Sequence, residues 1–384
     1  MKFSCAVSDL LQSLHLVSRA IGGQQALPIL GNILMVAEGH KCTVSATDLE
    51  LSIITYFDAK IESEGSITIP AKAIVNFAQY NPDSEVLLET SEGTQLKCTS
   101  AHAKTVISGE VATDYPTIAP VERQTSFTLE AGPLLKALHL VTFASAKTTL
   151  RPVLSGVYFH REKGKLVLVA TDSYRLSEYT LPVDQEGEDI SCIIPTKILD
   201  ELRTVLSAKK GDKKDDKDQK LEDTSIGRVE LFLSKQQIEM QIGSTRLLSR
   251  LIDGRFPPYK QILPETTATT VLFSVRELTT AVKRMHYFAK EMNNSLTFRC
   301  NPSEVKLTTP QTQAGKDEAL LSAELTGKEN KIALSSSYLL DFLGHIDTEV
   351  IAMKMTDAMH PAVFVSQEDP RFLHLIMPLR MQDD

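Results

Sequence analysis

The sequence predicts an α+β chain built from three tandem units of one design. Two observations carry this. A set of short markers recurs at a nearly constant spacing, and each span reads as a strand, a helix, several short strands, a second helix and more strands. Strands grouped around two helices indicate α+β architecture rather than βαβ alternation. At roughly 150 residues per domain, the length of 384 residues accommodates two or three domains.

The markers come first because internal repetition decides the architecture. Phe3 opens FSCAVSDLLQSLHLVSRA and Phe127 opens FTLEAGPLLKALHLVTFA, a shift of 124 residues. The tetrapeptide LHLV (14–17, 138–141), the triplet ATD (46–48, 170–172), Leu30 with Leu154 and Ile33 with Val157 keep that shift. IPAKAI (69–74) answers IPTKIL (194–199), and Tyr115-Pro116 answers Phe256-Pro257. A fainter third copy opens at Phe273 with FSVRELTTAVKRMHYFAK, and KIALSSSYLLDFL (331–343) stands for the IPAKAI segment. The units expected are 1–122, 126–258 and 268–384.

Within the first unit, Phe3, Cys5 and Val7 alternate as a half-buried strand does. Leu10, Leu11, Leu14, Val17 and Ile21 then recur at helical spacing, with Ser8 or Asp9 as the expected N-cap. Alternating runs follow in CTVSATDLELSIITYF and SITIP, then a short helix from about 72 to 80, then strands near VLLET and TQLKCTS. The second unit repeats the order with LVLVATD, ISCIIP, a helix near 196–207 and RVELFLS. Residues 209–224, KKGDKKDDKDQKLEDT, hold six lysines and six acids, so they read as a solvated loop rather than a one-signed nucleic-acid arm.

Composition excludes several classes. The chain is 42% hydrophobic and 23% charged, which is ordinary for a folded chain. No apolar run reaches the length of a membrane helix, and the first residues lack a signal-peptide pattern, so a cytoplasmic protein without a membrane partner is expected. Cys5, Cys42, Cys98, Cys192 and Cys300 form an odd, scattered set that suits neither a disulfide framework nor a zinc site. There is no phosphate-binding glycine loop, no HExxH and no GxSxG, and the histidines lack metal-ligand spacing. His15 and His139 hold equivalent positions, where a packed core or interface residue is the commoner meaning. Asp48 and Asp172 follow Thr at strand exits, where Asp more often satisfies turn N–H groups than acts as a base. Neither a catalytic set nor a cofactor or metal site is expected.

The formal net charge is −8, yet the sign is unevenly distributed. Counted over the helical segments 9–20, 71–80, 131–151, 196–210, 276–290 and 335–346, the helices carry +8 and the rest of the chain −16. Basic helices gathered on one surface would bind a polyanion independently of sequence, while an acidic exterior repels it.

LPILGNILM (27–35), ATDLE (46–50), IPAK (69–72), VATDSYRLS (169–177), IDGRFPPY (252–259) and IMPLRM (376–381) together resemble the bacterial sliding clamp family, the beta subunit of DNA polymerase III. The markers keep the family's order along nearly the whole chain. The resemblance implies three copies of the DNA-clamp fold and a head-to-tail dimeric ring around duplex DNA, with sheets outside and two helices per domain lining the hole. It implies a non-catalytic processivity factor. The implied partners are the polymerase III alpha subunit, the clamp loader, other polymerases, and mismatch-repair or ligase proteins bearing clamp-binding peptides.

Carried over residue by residue, the resemblance places a partner-binding cleft at Leu154, Thr171, Ser173, Tyr174, Arg175 and Leu176. The cleft continues through Pro257, Ile262, Leu375, Ile376, Met377, Pro378 and Leu379. Ser173-Tyr174 stands where the family commonly has Gly-His. On the DNA-facing side Lys72 and Lys197 match basic positions of the family and Gln24 stands where an Arg is often found, while the charge count on the helical segments adds Lys136, Lys147, Arg151, Arg203, Lys283 and Arg284 to the expected set. The subunit contact would bring Tyr287 and Phe288 against Thr105 and Ile107 of a second copy. Two other readings compete on the residues alone: a repeat-built peptide-binding scaffold without DNA encirclement, and an enzyme using Asp172 and Arg175.

Overall fold

The computed structural model describes all residues except 24–26, 92–93, 149, 184–189, 212–226, 303 and 382–384, with no side-chain description for 208–211. Gln24 and most of the charged insert therefore lie outside the described residues.

The element order makes the triplication visible. The first repeat runs β1 (Lys2–Ala6), α1 (Val7–Ser18), β2 (Asn32–Glu38), β3 (Lys41–Thr47), β4 (Leu51–Asp58), β5 (Lys60–Ser63), β6 (Gly65–Pro70), α2 (Ala71–Gln79), β7 (Glu85–Ser91), β8 (Gln95–Thr99) and β9 (Lys104–Ser108). The second runs β10 (Thr125–Glu130), α3 (Ala131–Val141), β11 (Gly156–Glu162), β12 (Lys165–Thr171), β13 (Arg175–Pro182), β14 (Ser191–Pro195), α4 (Thr196–Gly211), β15 (Arg228–Leu233), β16 (Gln237–Ile242) and β17 (Thr245–Arg250). The third runs β18 (Thr269–Ser274), α5 (Val275–Ala289), β19 (Ser295–Asn301), β20 (Glu304–Thr308), β21 (Glu318–Leu321), β22 (Ala323–Gly327), β23 (Asn330–Ser335), α6 (Ser336–Leu343), β24 (Val350–Met355), β25 (Ala362–Ser366) and β26 (Phe372–Ile376). The third repeat lacks the ATD marker but keeps the first repeat's order element for element.

Contacts divide the chain into two compact units, residues 1–132 with 197–251, and residues 133–196 with 252–384. The first unit holds an eight-stranded sheet, β10-β15-β16-β17-β4-β3-β2-β6, and a five-stranded sheet, β5-β1-β7-β8-β9. The second holds a nine-stranded sheet, β14-β11-β12-β13-β26-β25-β24-β18-β22, and a four-stranded sheet, β21-β20-β19-β23. Each long sheet fuses strands of two successive repeats, at β4–β17 and at β13–β26, both antiparallel. Each short sheet belongs to a single terminal repeat, with β5 and β9 as end strands in one and β21 and β23 in the other.

Helices pack their apolar faces on these sheets. In α1, Leu10, Leu14 and Val17 are fully buried, and α1 packs on α2 and β4. In α5, Leu278, Val282 and Met285 are buried at helical spacing, and α5 packs on α6. All five cysteines are free, and burial pushes the Cys5, Cys98, Cys192 and Cys300 thiols up to about 12.

Three expectations are corrected. The helix cap expected at Ser8 or Asp9 is not used: β1 runs straight into α1, Ala6 is the N-cap, and the Val7 N–H reaches the Ser84 carbonyl at 2.9 Å. The helix expected over 131–151 stops at Val141 and tightens into a 3-10 turn, Thr142–Ala144. There the Ser145 N–H (3.2 Å) and hydroxyl (2.8 Å) both donate to the Thr142 carbonyl. Lys147 and Arg151 therefore lie off the helix, and the six helices among the described residues carry +4 rather than +8, leaving −12 elsewhere. The bias keeps its sign at half its size. Third, of the core and interface alternatives for His15 and His139, exposure of both removes the core one, and His139 lies against the His345 ring at 4.9 Å between centroids.

Candidate partner-binding groove and basic helix faces

Both ATD triplets build the same turn. The Asp48 Oδ1 accepts the N–H groups of Glu50 (3.0 Å) and Leu51 (2.7 Å), while the Thr47 hydroxyl donates to the Leu51 carbonyl and accepts the Leu49 N–H. One repeat later, Asp172 Oδ1 accepts Tyr174 (2.9 Å) and Arg175 (3.0 Å) N–H groups, and Thr171 donates to the Arg175 carbonyl and accepts the Ser173 N–H. Leu49 and Ser173, at the tips, both have left-handed backbone, with φ of +76° and +79°. The two aspartates are thus committed to holding turns, which removes them as general bases.

The second turn delivers β13 against β26. In that ladder Leu176 faces Leu375, Thr171 faces Leu176 on one side, and Val363 faces Leu375 on the other. Thr171, Leu176, Leu375 and Val363 form one buried row across four strands, and the next row on that face is Val169, Glu178, Leu373 and Val365. Side chains two apart along a strand share a face. Leu154, Ile193, Phe256 and Tyr259 close on the same apolar cluster, and Val153, Tyr158, Leu263 and Met377 pack against it. Tyr158 stacks on Phe256 at 4.9 Å between ring centroids, which pins the 252–263 segment to the sheet. A Lys260–Glu162 ion pair anchors that segment further.

This row is a floor with a rim above it. Leu154, Thr171, Leu176 and Leu375 are buried, whereas Met377, Pro378 and Leu379 are half-buried and Ser173, Tyr174, Pro257 and Ile262 are exposed. The Met377 N–H donates to the Tyr174 carbonyl and the Leu379 N–H to the Ala333 carbonyl, both at 2.8 Å, so residues 377–379 are tied down beyond the end of β26. The segment is therefore a core strand through Ile376 and a candidate groove rim over residues 377–379. Such a short apolar groove with a methionine on its rim suits docking of varied peptides.

Two expected lining residues point the other way. Arg175 pairs with Ile376 on the opposite face, where both are buried. The Arg175 guanidinium bonds Asp172 (3.0 Å) and Asp341 (2.8 Å) and lies over the Tyr338 ring at 4.8 Å. Arg175 thus holds the turn from the opposite face, through Asp172 and Asp341. Arg151, by contrast, reaches the groove side, with Nη1 3.5 Å from the Ser173 hydroxyl. Val153, Tyr158, Val169, Phe256 and Val363 are floor residues that the sequence reading did not single out. Period-two extension from Thr171 back to Val169 was the one available signal.

Half of the eight expected basic residues are paired with carboxylates. Lys136 bonds Asp369 at 2.6 Å, Lys197 bonds Asp48, Arg203 bonds Asp200 at 3.3 Å, and Arg284 grips Asp317 with two bonds of 2.8 and 3.1 Å. Lys72, Lys147 and Lys283 are exposed without a carboxylate partner among the described residues. At the expected subunit contact, Tyr287 is exposed and Phe288 half-buried, with their rings edge-to-face at 5.3 Å. Thr105 is half-buried and Ile107 is buried within its own sheet, so the outward apolar side chain on β9 is Val106, between exposed Lys104 and Ser108.

Among the described residues no helix is long and apolar enough to cross a membrane, and no group of His, Cys, Asp or Glu is arranged to hold a metal ion.

Known proteins match the chain along nearly its whole length. Family models for the N-terminal, central and C-terminal domains of the DNA polymerase III beta subunit match residues 1–119, 128–258 and 260–380. The chain is 28% identical to the beta sliding clamp of Synechocystis sp. and 27% identical to that of Vibrio cholerae, each over 99% of this chain and 100% of the relative. Among solved structures, the DNA polymerase sliding clamp from Bacillus subtilis matches with a TM-score of 0.91 and 25% identity over 100% of both chains. The DNA polymerase III beta subunit from Thermotoga maritima matches at 0.89 and 25%, over 99% of this chain and 100% of that one.

Proposed function

This chain belongs to the DNA polymerase III beta subunit family, the non-catalytic sliding clamps, and on that premise we propose how it works: two copies close head to tail around duplex DNA and tether the replicative polymerase. The observation that carries the reading is the sheet arithmetic of the three repeats, taken as 1–122, 126–258 and 268–384. Successive repeats are fused by pairing β4 with β17 and β13 with β26. By position in the repeat, the next such pair is β21 with β9, and each is an end strand of one of the two short sheets. A second copy supplies each missing partner, and closing the ring leaves neither edge unpaired. Exposed Leu320 on β21, exposed Val106 on β9 and exposed Tyr287 support that contact.

In this reading the helices face the DNA, and Lys72, Lys136, Lys197, Arg203, Lys283 and Arg284, with Lys147 just beyond α3, meet phosphates without reading bases, while Arg151 goes with the groove. The groove takes short peptides of the polymerase III alpha subunit, the clamp loader, other polymerases, and mismatch-repair or ligase proteins. The setting is the cytoplasm. The relatives favour this reading over a peptide-binding scaffold that never touches DNA.

The test is topological. After loading by a clamp loader, the protein should persist on circular DNA and slide off once the circle is linearised. Equal residence on both templates would defeat encirclement.

A further inference from the structure

In three places a helix cation stands over a sunken carboxylate: Lys136 of α3 on Asp369, Lys197 of α4 on Asp48, and Arg284 of α5 on Asp317. The carboxylate side chains are only 9–15% exposed, while the cations are 49–57% exposed. Each acid is also fixed by its own loop. Asp48 accepts the Glu50 and Leu51 N–H groups, Asp317 accepts the Glu318 N–H, and Asp369 is held by Arg371 and the Tyr179 hydroxyl. The acids therefore cannot swing away, whereas the cations lie within reach of a ligand.

We propose that Asp48, Asp317 and Asp369 are built-in counter-ions that keep contact with the DNA backbone weak enough for the ring to slide. The inference rests on the encircling reading above and adds a role to residues outside the basic set. Its physical basis is counter-ion exchange. Duplex DNA gains affinity when cations displace its condensed salt ions, but a lysine already neutralised by a protein carboxylate must surrender that bond first. Exposed ion pairs are weak, so the exchange is close to balanced in both directions. A phosphate is then taken up and released with little change in free energy, and successive phosphates are interchangeable along the duplex.

The experiment measures affinity and salt dependence of the full-length protein for a short labelled duplex. It uses Asp48→Asn and Asp317→Asn, with Glu38→Gln as a control. Glu38 is exposed and has no cation partner among the described residues, so the control changes net charge equally without freeing a helix cation. Asn keeps one carbonyl oxygen for the N–H groups that hold each loop, and melting checks that the fold survives. Each Asn variant should bind about two- to fivefold tighter at low salt than the control. The log–log salt slope should steepen by up to about one ion per freed cation. Asn variants indistinguishable from Glu38→Gln overturn the inference alone, provided wild type still outlasts linearisation controls on circles. Wild type that leaves circles and linear DNA equally fast overturns the encircling reading and takes the inference with it.

Discussion

Leu176 faces Leu375 across the β13–β26 ladder, and both side chains are fully buried. This one pairing makes the end of the chain an integral strand of the sheet that presents the groove. It also separates two kinds of substitution. Leu375→Ala opens a core cavity and should cost about 2–5 kcal/mol. Met377→Ala and Leu379→Ala, on half-buried rim residues, should leave melting within a few degrees yet abolish binding of a clamp-binding peptide. Isolated peptides should bind at only about micromolar strength, because ordering them offsets much of the apolar gain. Wild-type peptide affinity in both rim variants would show that the groove lies elsewhere.

The basic helices offer a graded prediction. Lys72 and Lys197 are equivalents in the repeat, each the second residue of its helix, but only Lys197 has a carboxylate partner. Lys72→Glu should therefore weaken binding to a short duplex more than Lys197→Glu does, with Lys283→Glu resembling Lys72→Glu. The lost bare cations should each flatten the log–log salt slope by about 0.9. All three should fold normally, since the side chains are exposed. Equal losses at Lys72 and Lys197 would mean that the Asp48 pair is irrelevant in solution.

How much of this was legible in the sequence differs between levels. The repeat, the strand–helix order and the turn role of Asp48 and Asp172 were readable because each is local: a shift of 124 residues, a period of two or 3.6, and a side chain reaching N–H groups two and three residues on. The groove was readable only through resemblance, because Thr171, Leu176, Leu375 and Val363 meet through ladders between distant segments. Arg175 illustrates the limit. Its neighbours Tyr174 and Leu176 are on the face proposed as the groove, but strand alternation turns Arg175 to the other face, toward Asp341. The pairs Lys197–Asp48 and Arg284–Asp317 were equally hidden, since charge counting along a helix does not register a carboxylate brought in by another segment.

The assembly prediction follows from the end strands β9 and β21. Light scattering at micromolar concentration should give a dimer across ordinary salt, and a stable monomer there would count decisively against the ring. Val106→Glu and Leu320→Glu put charge on outward positions of β9 and β21, and should shift the protein toward monomer with little change in melting of the monomer itself. Ile107→Ala should instead destabilise the first unit, because Ile107 is core.

The last prediction concerns acid. His374 is fully buried, stacked on Phe342 at 4.6 Å between ring centroids and bonded through Nδ1 to the Ser177 hydroxyl at 2.8 Å. Its Nε2 has no partner among the described residues. Burial, with Arg175 and His345 as neighbouring positive charges, holds its pKa well below the ordinary 6.5. The folded protein thus keeps His374 neutral while the unfolded chain takes up a proton below about pH 6.5, so stability from this group is complete above that pH. It should fall by up to about 1.4 kcal/mol for each further pH unit until the folded pKa is reached, or about 2–4 °C in melting temperature per unit. The double variant His374→Phe with Ser177→Ala removes the proton acceptor without stranding the serine hydroxyl. Its melting temperature should decline less than that of wild type between pH 7 and 5, while the exposed histidines contribute equally to both. Parallel curves would mean that His374 accepts its proton inside the folded sheet.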